Sequence, residues 1–330
     1  MTKSLLAAAA LSLVALGAAE AQVGCTGTPS FSTAADNARQ QAADVFQYVA
    51  PELGQAVAGG SATLGQNSTL GGLGHFSLGA HATVVAGSIP DVSKFPVCYG
   101  GRQAPTPLPT SKSAVPMVGA DAAIGLFAGL PLALTNVGAV DLLVSAQYVP
   151  DKSFSSVRVS APDGSLQLGY GARIGLLSES ILVPGVSLSY MKRDLPRVNV
   201  AANTGADTLS ITGLKAKSSS WRIAASKSLL LFSVGAGAGQ DKLESSVDSV
   251  SARVSYPSTL TPTRGTLTSQ AQSLTRTNYF VNLSFSLLVA KLTAELGQST
   301  GGSVATYNSF SGAQPTGSRT YGSLGVRFGL

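Results

Sequence analysis

The sequence predicts an all-β chain, closed into one antiparallel up-and-down barrel that crosses a membrane, with a helical plug or cap before it. Three observations carry this. The chain is 330 residues long with 44% hydrophobic but only 12% charged residues and 37 glycines, against about 25% charged in an ordinary soluble domain. No run reaches the roughly 18 apolar residues of a spanning helix. Apolar and polar residues instead alternate in serial short segments, as expected of strands with one face in lipid and one towards a polar lumen.

At the start, Lys3, the apolar stretch Leu5 to Leu16 and the small-residue pattern Ala19-Glu20-Ala21 read as a secretory signal peptide over 1–21. A segment 22–68 follows, and the barrel is expected over 69–330. Thr33 and Asp36 suggest a capping box. Ala35, Ala38, Ala42, Val45, Phe46 and Val49 then mark one helical face up to Pro51, which is expected to stop the helix. Asn37, Gln40, Gln41, Asp44, Gln47 and Tyr48 form the opposite face. An 18-residue helix is about 27 Å long but 10–12 Å across. A ring of ten strands leaves little room for that width, which favours a cap on the periplasmic mouth over a plug in the lumen.

Ten segments alternate, at about 70–86, 115–127, 139–149, 164–177, 184–193, 218–227, 229–240, 274–288, 290–299 and 318–330. Twelve to fourteen strands is the alternative. Val140, Leu142, Val144, Ala146 and Tyr148 form one apolar row, and Leu166, Leu168, Tyr170, Ala172, Ile174 and Leu176 another. Tight turns, expected at Ser226 to Ser228 and Leu288 to Ala290, alternate with long loops. That alternation over an even strand count places both barrel ends in the periplasm and the long loops outside. Tyr148, Tyr190, Trp221 and Tyr279 then fall outward at the loop ends, as an aromatic girdle. Phe76, Phe232, Phe285 and Phe328 point outward near the other rim. Val198 to Ile211 reads as a tall hairpin above the membrane, turning at Asn203-Thr204-Gly205.

In the final stretch, Leu324, Val326, Phe328 and Leu330 share one face. The spacing Ser323, Gly325, Phe328, Leu330 resembles the C-terminal assembly signal of bacterial outer-membrane β-barrels. That resemblance implies an outer-membrane address and the barrel assembly machinery as a partner. The order of an N-terminal segment and then a tall barrel resembles the long-chain fatty-acid transporter family. Val49-Ala50-Pro51-Glu52 stands where that family carries Asn-Pro-Ala. The resemblance implies passive uptake of small hydrophobic molecules. The rival expectation is a non-transporting structural or surface barrel whose basic residues Lys192, Arg193, Arg197, Lys215 and Lys217 meet lipopolysaccharide or a partner. Nucleic acid is not an expected partner, and the chain is expected to be a monomer.

Inward-facing charges are expected at Asp121, Asp141 and Glu295 against Arg173, Arg222 and Arg327, as paired groups filling a narrow lumen. His75 and His81 lie roughly 20 Å apart at strand rise, too far to share a metal, and neither a metal nor a cofactor is expected. His75-Phe76-Ser77 resembles the His-any-Ser pair of outer-membrane phospholipases, but Leu78-Gly79-Ala80 replaces that family's Asn-Gly-Arg. Lipid hydrolysis is thus a remote alternative, and the protein is not expected to be an enzyme. Cys25 and Cys98, the only two cysteines, are expected to pair in an oxidising compartment. Such a bridge needs the N-terminus to reach the outer side, most simply through the lumen. The final strand yields a test. Deleting Phe328-Gly329-Leu330 removes its lipid-facing end and should leave export intact while abolishing heat-resistant barrel in outer-membrane fractions; normal insertion would make the motif a coincidence.

Overall fold

Alternation becomes geometry in a computed structural model that describes residues 31–96, 98, 102–149, 151–154, 157–204, 207–254, 263–312 and 314–329. The signal peptide, Cys25 and Leu330 lie outside the described residues. Ten long strands form the wall: β1 (Phe76–Pro90), β2 (Pro107–Phe127), β3 (Ala139–Tyr148), β4 (Leu166–Leu177) and β5 (Gly185–Asp194). β6 (Asp207–Leu229), β7 (Phe232–Val254), β8 (Thr263–Leu287), β9 (Ala290–Thr300) and β10 (Arg319–Gly329) complete it. Each pairs antiparallel with its neighbours, and β10 returns to β1 with Ser77 opposite Gly329, closing the ring. Closure leaves no open edge in lipid, where an unpaired backbone group costs several kcal/mol.

The two faces separate by period two. On β3, Asp141, Leu143, Ser145 and Gln147 are buried while Leu142 and Tyr148 are exposed. Leu168, Tyr170, Ile174, Leu283, Leu296, Leu324 and Phe328 continue the exposed apolar belt around the ring. A surface of this kind needs hydrocarbon against it. Tyr148, Tyr190, Trp221 and Tyr279 are all exposed, and Trp221 stands directly opposite Tyr190. Near the other rim Phe232 and Phe285 are tilted neighbours with centroids 5.0 Å apart.

Short and long connections alternate as expected, with one turn displaced. β6 and β7 join at Leu230-Leu231, not at Ser226 to Ser228, because the strand continues to Leu229. Leu230 and Leu288 take positive φ (52° and 44°) in the two tightest turns. The outer hairpin is present, with 198–204 paired to the outer half of β6. β6, β7 and β8 are 23, 23 and 25 residues long, far beyond the roughly 9–11 that span the bilayer. Their outer halves are polar, which is why apolar alternation under-read them.

Helix α1 (Phe31–Ala58) departs from expectation in three ways. Thr33 lies within it, not at its start. Pro51 does not stop it. The helix also lies inside the outer half of the barrel, against β7, β8, β6, β1 and β2, not as a cap on the periplasmic mouth. A proline removes its own N–H and frees the carbonyl four residues back. Here that carbonyl, on Gln47, accepts a hydrogen bond from Gln272 Nε2 at 3.0 Å, so the last turns hold. The width objection fails where small residues let helix and wall approach, although Phe46, Tyr48 and Val57 are buried on the helix as well. Ala42, Ala43, Ala50, Ala56 and Ala58 are buried on the helix. On the wall, a Cβ at Gly265 would sit 2.3 Å from the Ala35 carbonyl.

Pro51→Ala therefore tests the helix. Restoring the N–H should stabilise the barrel against urea in micelles by about 1–3 kcal/mol, since an interior proline costs about 3. A loss of stability would show that Pro51 ends the helix after all.

Candidate functional site: the plugged lumen and its two mouths

Below α1 the chain descends through the lumen as an irregular segment, 59–75, and reaches β1 at the periplasmic end. The carboxyl end of a helix carries unsatisfied carbonyls and partial negative charge. Two wall arginines meet it. Arg193 donates to the carbonyls of Ala58 and Ala62, both at 2.6 Å. Arg222 donates to Gly60 at 2.7 Å and Gly59 at 3.4 Å. Gly59 takes φ +60°, which turns the chain out of the helix. Gly60 must lack a side chain, because a Cβ there would lie 1.6 Å from Glu295 Oε1.

Each sequence-predicted lumen charge now has a place. Glu295 accepts from the Ser61 amide at 3.0 Å and its hydroxyl at 2.7 Å, so it serves the plug and, among the described residues, forms no ion pair. Arg222 pairs with Asp241 at 2.5 Å. Asp141 and Arg173 pair at 2.8 Å, and both also hold the plug: Asp141 accepts from the Leu70 amide, while Arg173 donates to Thr63 Oγ1 and the Gln66 carbonyl. Asp121 lies between His81 (3.2 Å) and Arg193 (3.6 Å). Arg327 faces the lumen without an ion pair among the described residues. Arg193 is 4% exposed and belongs to the lumen, not to the external basic loops where the sequence placed it. Its parity with the inward Ser189 and Met191 carries that signal. Arg197 does lie outside, paired with Asp163 and Asp248.

Sequence reasoning missed the charges on the upper plug. Glu52 of α1 pairs with Arg319 of β10 at 2.5 Å. Asp44 accepts from the Tyr307 and Asn308 amides at 2.9 and 3.0 Å, tying the helix to the loop 301–318. Asn37 donates to the Cys98 carbonyl at 3.1 Å. Cys98 is disulfide-bonded; Cys25 lies outside the described residues. Tyr48 packs on Phe310, centroids 4.5 Å apart, beside Leu108. Upper helix, first loop and last loop thus form one unit.

Two mouths remain open. The outer is a cavity of about 470 Å³ lined by Asn37, Gln40, Arg102, Gln103, Tyr307 and Asn308, with the Arg102 guanidinium 5.2 Å from the Tyr307 ring centre. The inner, about 290 Å³, is lined by the plug at 65–70 and the periplasmic strand ends. Between them, the space lined by Thr63, His81, Asp121 and Arg327 is about 10 Å³, at the lower limit for one water molecule. His75 is exposed in the inner mouth and Ser77 is buried; no hydrogen bond joins them. Among the described residues no cluster of His, Cys, Asp or Glu is arranged for a metal.

A closed ring with a lipid-facing belt, aromatic girdles and a polar interior defines an outer-membrane β-barrel protein, and the outer membrane is where it resides. No protein-family model matches the chain, and no curated protein matches its sequence. Among solved structures it is similar to the outer-membrane protease OmpT of Escherichia coli (10% identity, TM-score 0.37, covering 78% of this chain and 95% of that one). Others are Neisserial surface protein A (8%, 0.28, 77% and 98%) and a mutant of the monoaromatic hydrocarbon channel TodX (10%, 0.29, 83% and 97%). At these identities and TM-scores none of them bears on what this chain does.

The lumen pairs are testable by a double-mutant cycle. Arg173→Met alone leaves Asp141 buried and uncompensated and should cost about 3–5 kcal/mol in urea unfolding. Arg173→Met with Asp141→Leu should cost much less than the two single effects combined. Additive losses would mean that the pair is not coupled in the folded barrel.

Proposed function

We propose that the protein is a constitutively plugged outer-membrane barrel that works at the cell surface, as a structural or interaction module and not as a channel. One observation carries this: the plug is fixed to the wall from top to bottom by buried charged and hydrogen-bonded contacts, from Asp44 through Glu52, Arg193, Arg222 and Glu295 to Asp141. Freeing it would break the buried Glu52–Arg319 pair and take from Glu295 and Asp141 the plug amides that they accept from, and each buried group left without its partner costs about 1–3 kcal/mol or more. A plug built to move would be held by fewer and weaker contacts.

The same lumen argues against passive uptake of hydrophobic molecules, the reading that the fatty-acid-transporter layout supports. Many of its buried side chains are polar or charged, among them Asp141, Gln147, Arg173, Arg222, Asp241 and Glu295, and an apolar solute gains nothing by displacing their partners. The outward surface suits the surface role. Lys192 and Lys242 lie on one rung beside Ser219, two residues above the Tyr190–Trp221 rung, with Lys217 next above. Lys242 is paired with Glu244 at 2.7 Å and Lys217 stands between Asp194 and Glu244, so Lys192 is the ammonium placed to meet phosphates of anionic outer-leaflet lipid. The polar groove around Tyr307 and Arg102 faces outward above them. A catalytic role has no support in the His75–Ser77 arrangement, which lacks both the hydrogen bond and a third orienting group.

The test is electrical. Refolded full-length protein in planar bilayers should carry no steady current. Protein refolded without residues 31–68, and still heat-modifiable on gels, should open a conducting pore. A steady conductance in the intact chain would overturn the plugged reading.

A further inference from the structure

Nearly every wall arginine of this lumen has an answer. Arg173 has Asp141, Arg193 has Asp121, Arg222 has Asp241 and Arg319 has Glu52; Arg276 donates to the Pro315 and Gly317 carbonyls. Arg327 has none. Among the described residues no ion pair or hydrogen bond reaches it, and its Nη1 is buried without a partner.

A second cation stands next to it. Lys291 on β9 is directly opposite Arg327 on β10. Both occupy lumen-facing positions, because the exposed Leu292 and Phe328 mark the other face. Like charges directly opposite on neighbouring strands destabilise the pair, and burial weakens their screening. Neither nearby acid reaches ion-pair distance of these two cations among the described residues. Glu179, in the same cavity, accepts from the Ser228 amide. Asp121, on the same rung across Gly79, is taken by His81 and Arg193. Both cations line the periplasmic cavity of about 290 Å³.

We propose that Arg327 and Lys291 form an oxyanion site facing the periplasm, which takes a phosphate or carboxylate group of a small solute there. A guanidinium presents two parallel N–H donors that match either oxyanion, and the ammonium adds a point charge beside it. Asn67, Ser68, Ser77 and Ser286 line the cavity around them and supply neutral donors. The volume, near the low end for small-molecule sites, admits a small solute and excludes a folded partner. The site explains why two cations are kept face to face in a lumen where most other arginines meet an acid. It also gives a plugged barrel a function on its inner side.

Full-length protein refolded in zwitterionic micelles is titrated with sodium phosphate, and separately with sodium succinate, at constant ionic strength, by calorimetry. Saturable binding of at least one probe is expected. Phosphate alone would identify a phosphate-bearing solute, succinate alone a carboxylate-bearing one. Arg327→Gln should weaken binding by about tenfold or more, as loss of a charge-assisted fork implies, while Lys112→Gln, exposed on the outer part of β2, leaves it unchanged. Lys291→Glu guards against misfolding of the first variant. It supplies Arg327 with its own carboxylate, so it should abolish binding while raising the unfolding temperature. A non-saturating response to both probes, or saturable binding that Arg327→Gln or Lys291→Glu leaves intact, would overturn the proposal.

Discussion

Arg193 and Arg222 hold the carboxyl end of a helix inside a ten-stranded ring, and most of the lumen is arranged around that grip. A helix ending in a low-dielectric interior presents carbonyls that water cannot reach, so the wall must supply donors. Guanidinium groups do this with charge of the right sign for the helix dipole. Their own charges then need acids, which Asp121 and Asp241 provide. The chain emerging from Gly60 needs acceptors for its freed amides, which Glu295 and Asp141 provide. Each buried group creates the requirement that the next one meets.

The lipid-facing half of this design was legible in the sequence. Rows such as Leu166 to Leu176 and Tyr279 to Leu287 alternate because hydrocarbon sets one face and the lumen the other, and ten of them gave the strand count. The outer halves of β6 to β8 were not legible, since neither face there meets lipid and stretches such as Ser245 to Ser251 carry little contrast. Pro51 misled because its lost helix bond is replaced by Gln272, more than 200 residues away in sequence. Asp121, Asp141, Arg173, Arg222, Glu295 and Arg327 all lie on the lumen side of their strands, but strand parity does not name their partners. Parity gives orientation, whereas Asp241 for Arg222 and Ser61 for Glu295 are set by strand register and by the path of the plug.

The fit of the helix follows in part from small residues on both surfaces. Alanines on α1 and Gly265 on the wall let backbone approach backbone in places, while Phe46, Tyr48 and Val57 fill the wider gaps between helix and wall. The same economy explains the height of β6 to β8, which rise beside the upper helix and give Val247 and Val250 their burial against Ala42, Phe46 and Ala50. Tall wall, upper helix and the loop carrying Tyr307 join in one surface at the outer end of the barrel.

Hydrogen–deuterium exchange across residues 52–70 tests the central claim most directly. The account predicts that the amides of Ser61 and Leu70, which donate to Glu295 and Asp141, exchange as slowly as those of the neighbouring wall strands. Exchange within seconds, as in a solvated linker, would mean that the segment does not pass through the lumen as a fixed plug.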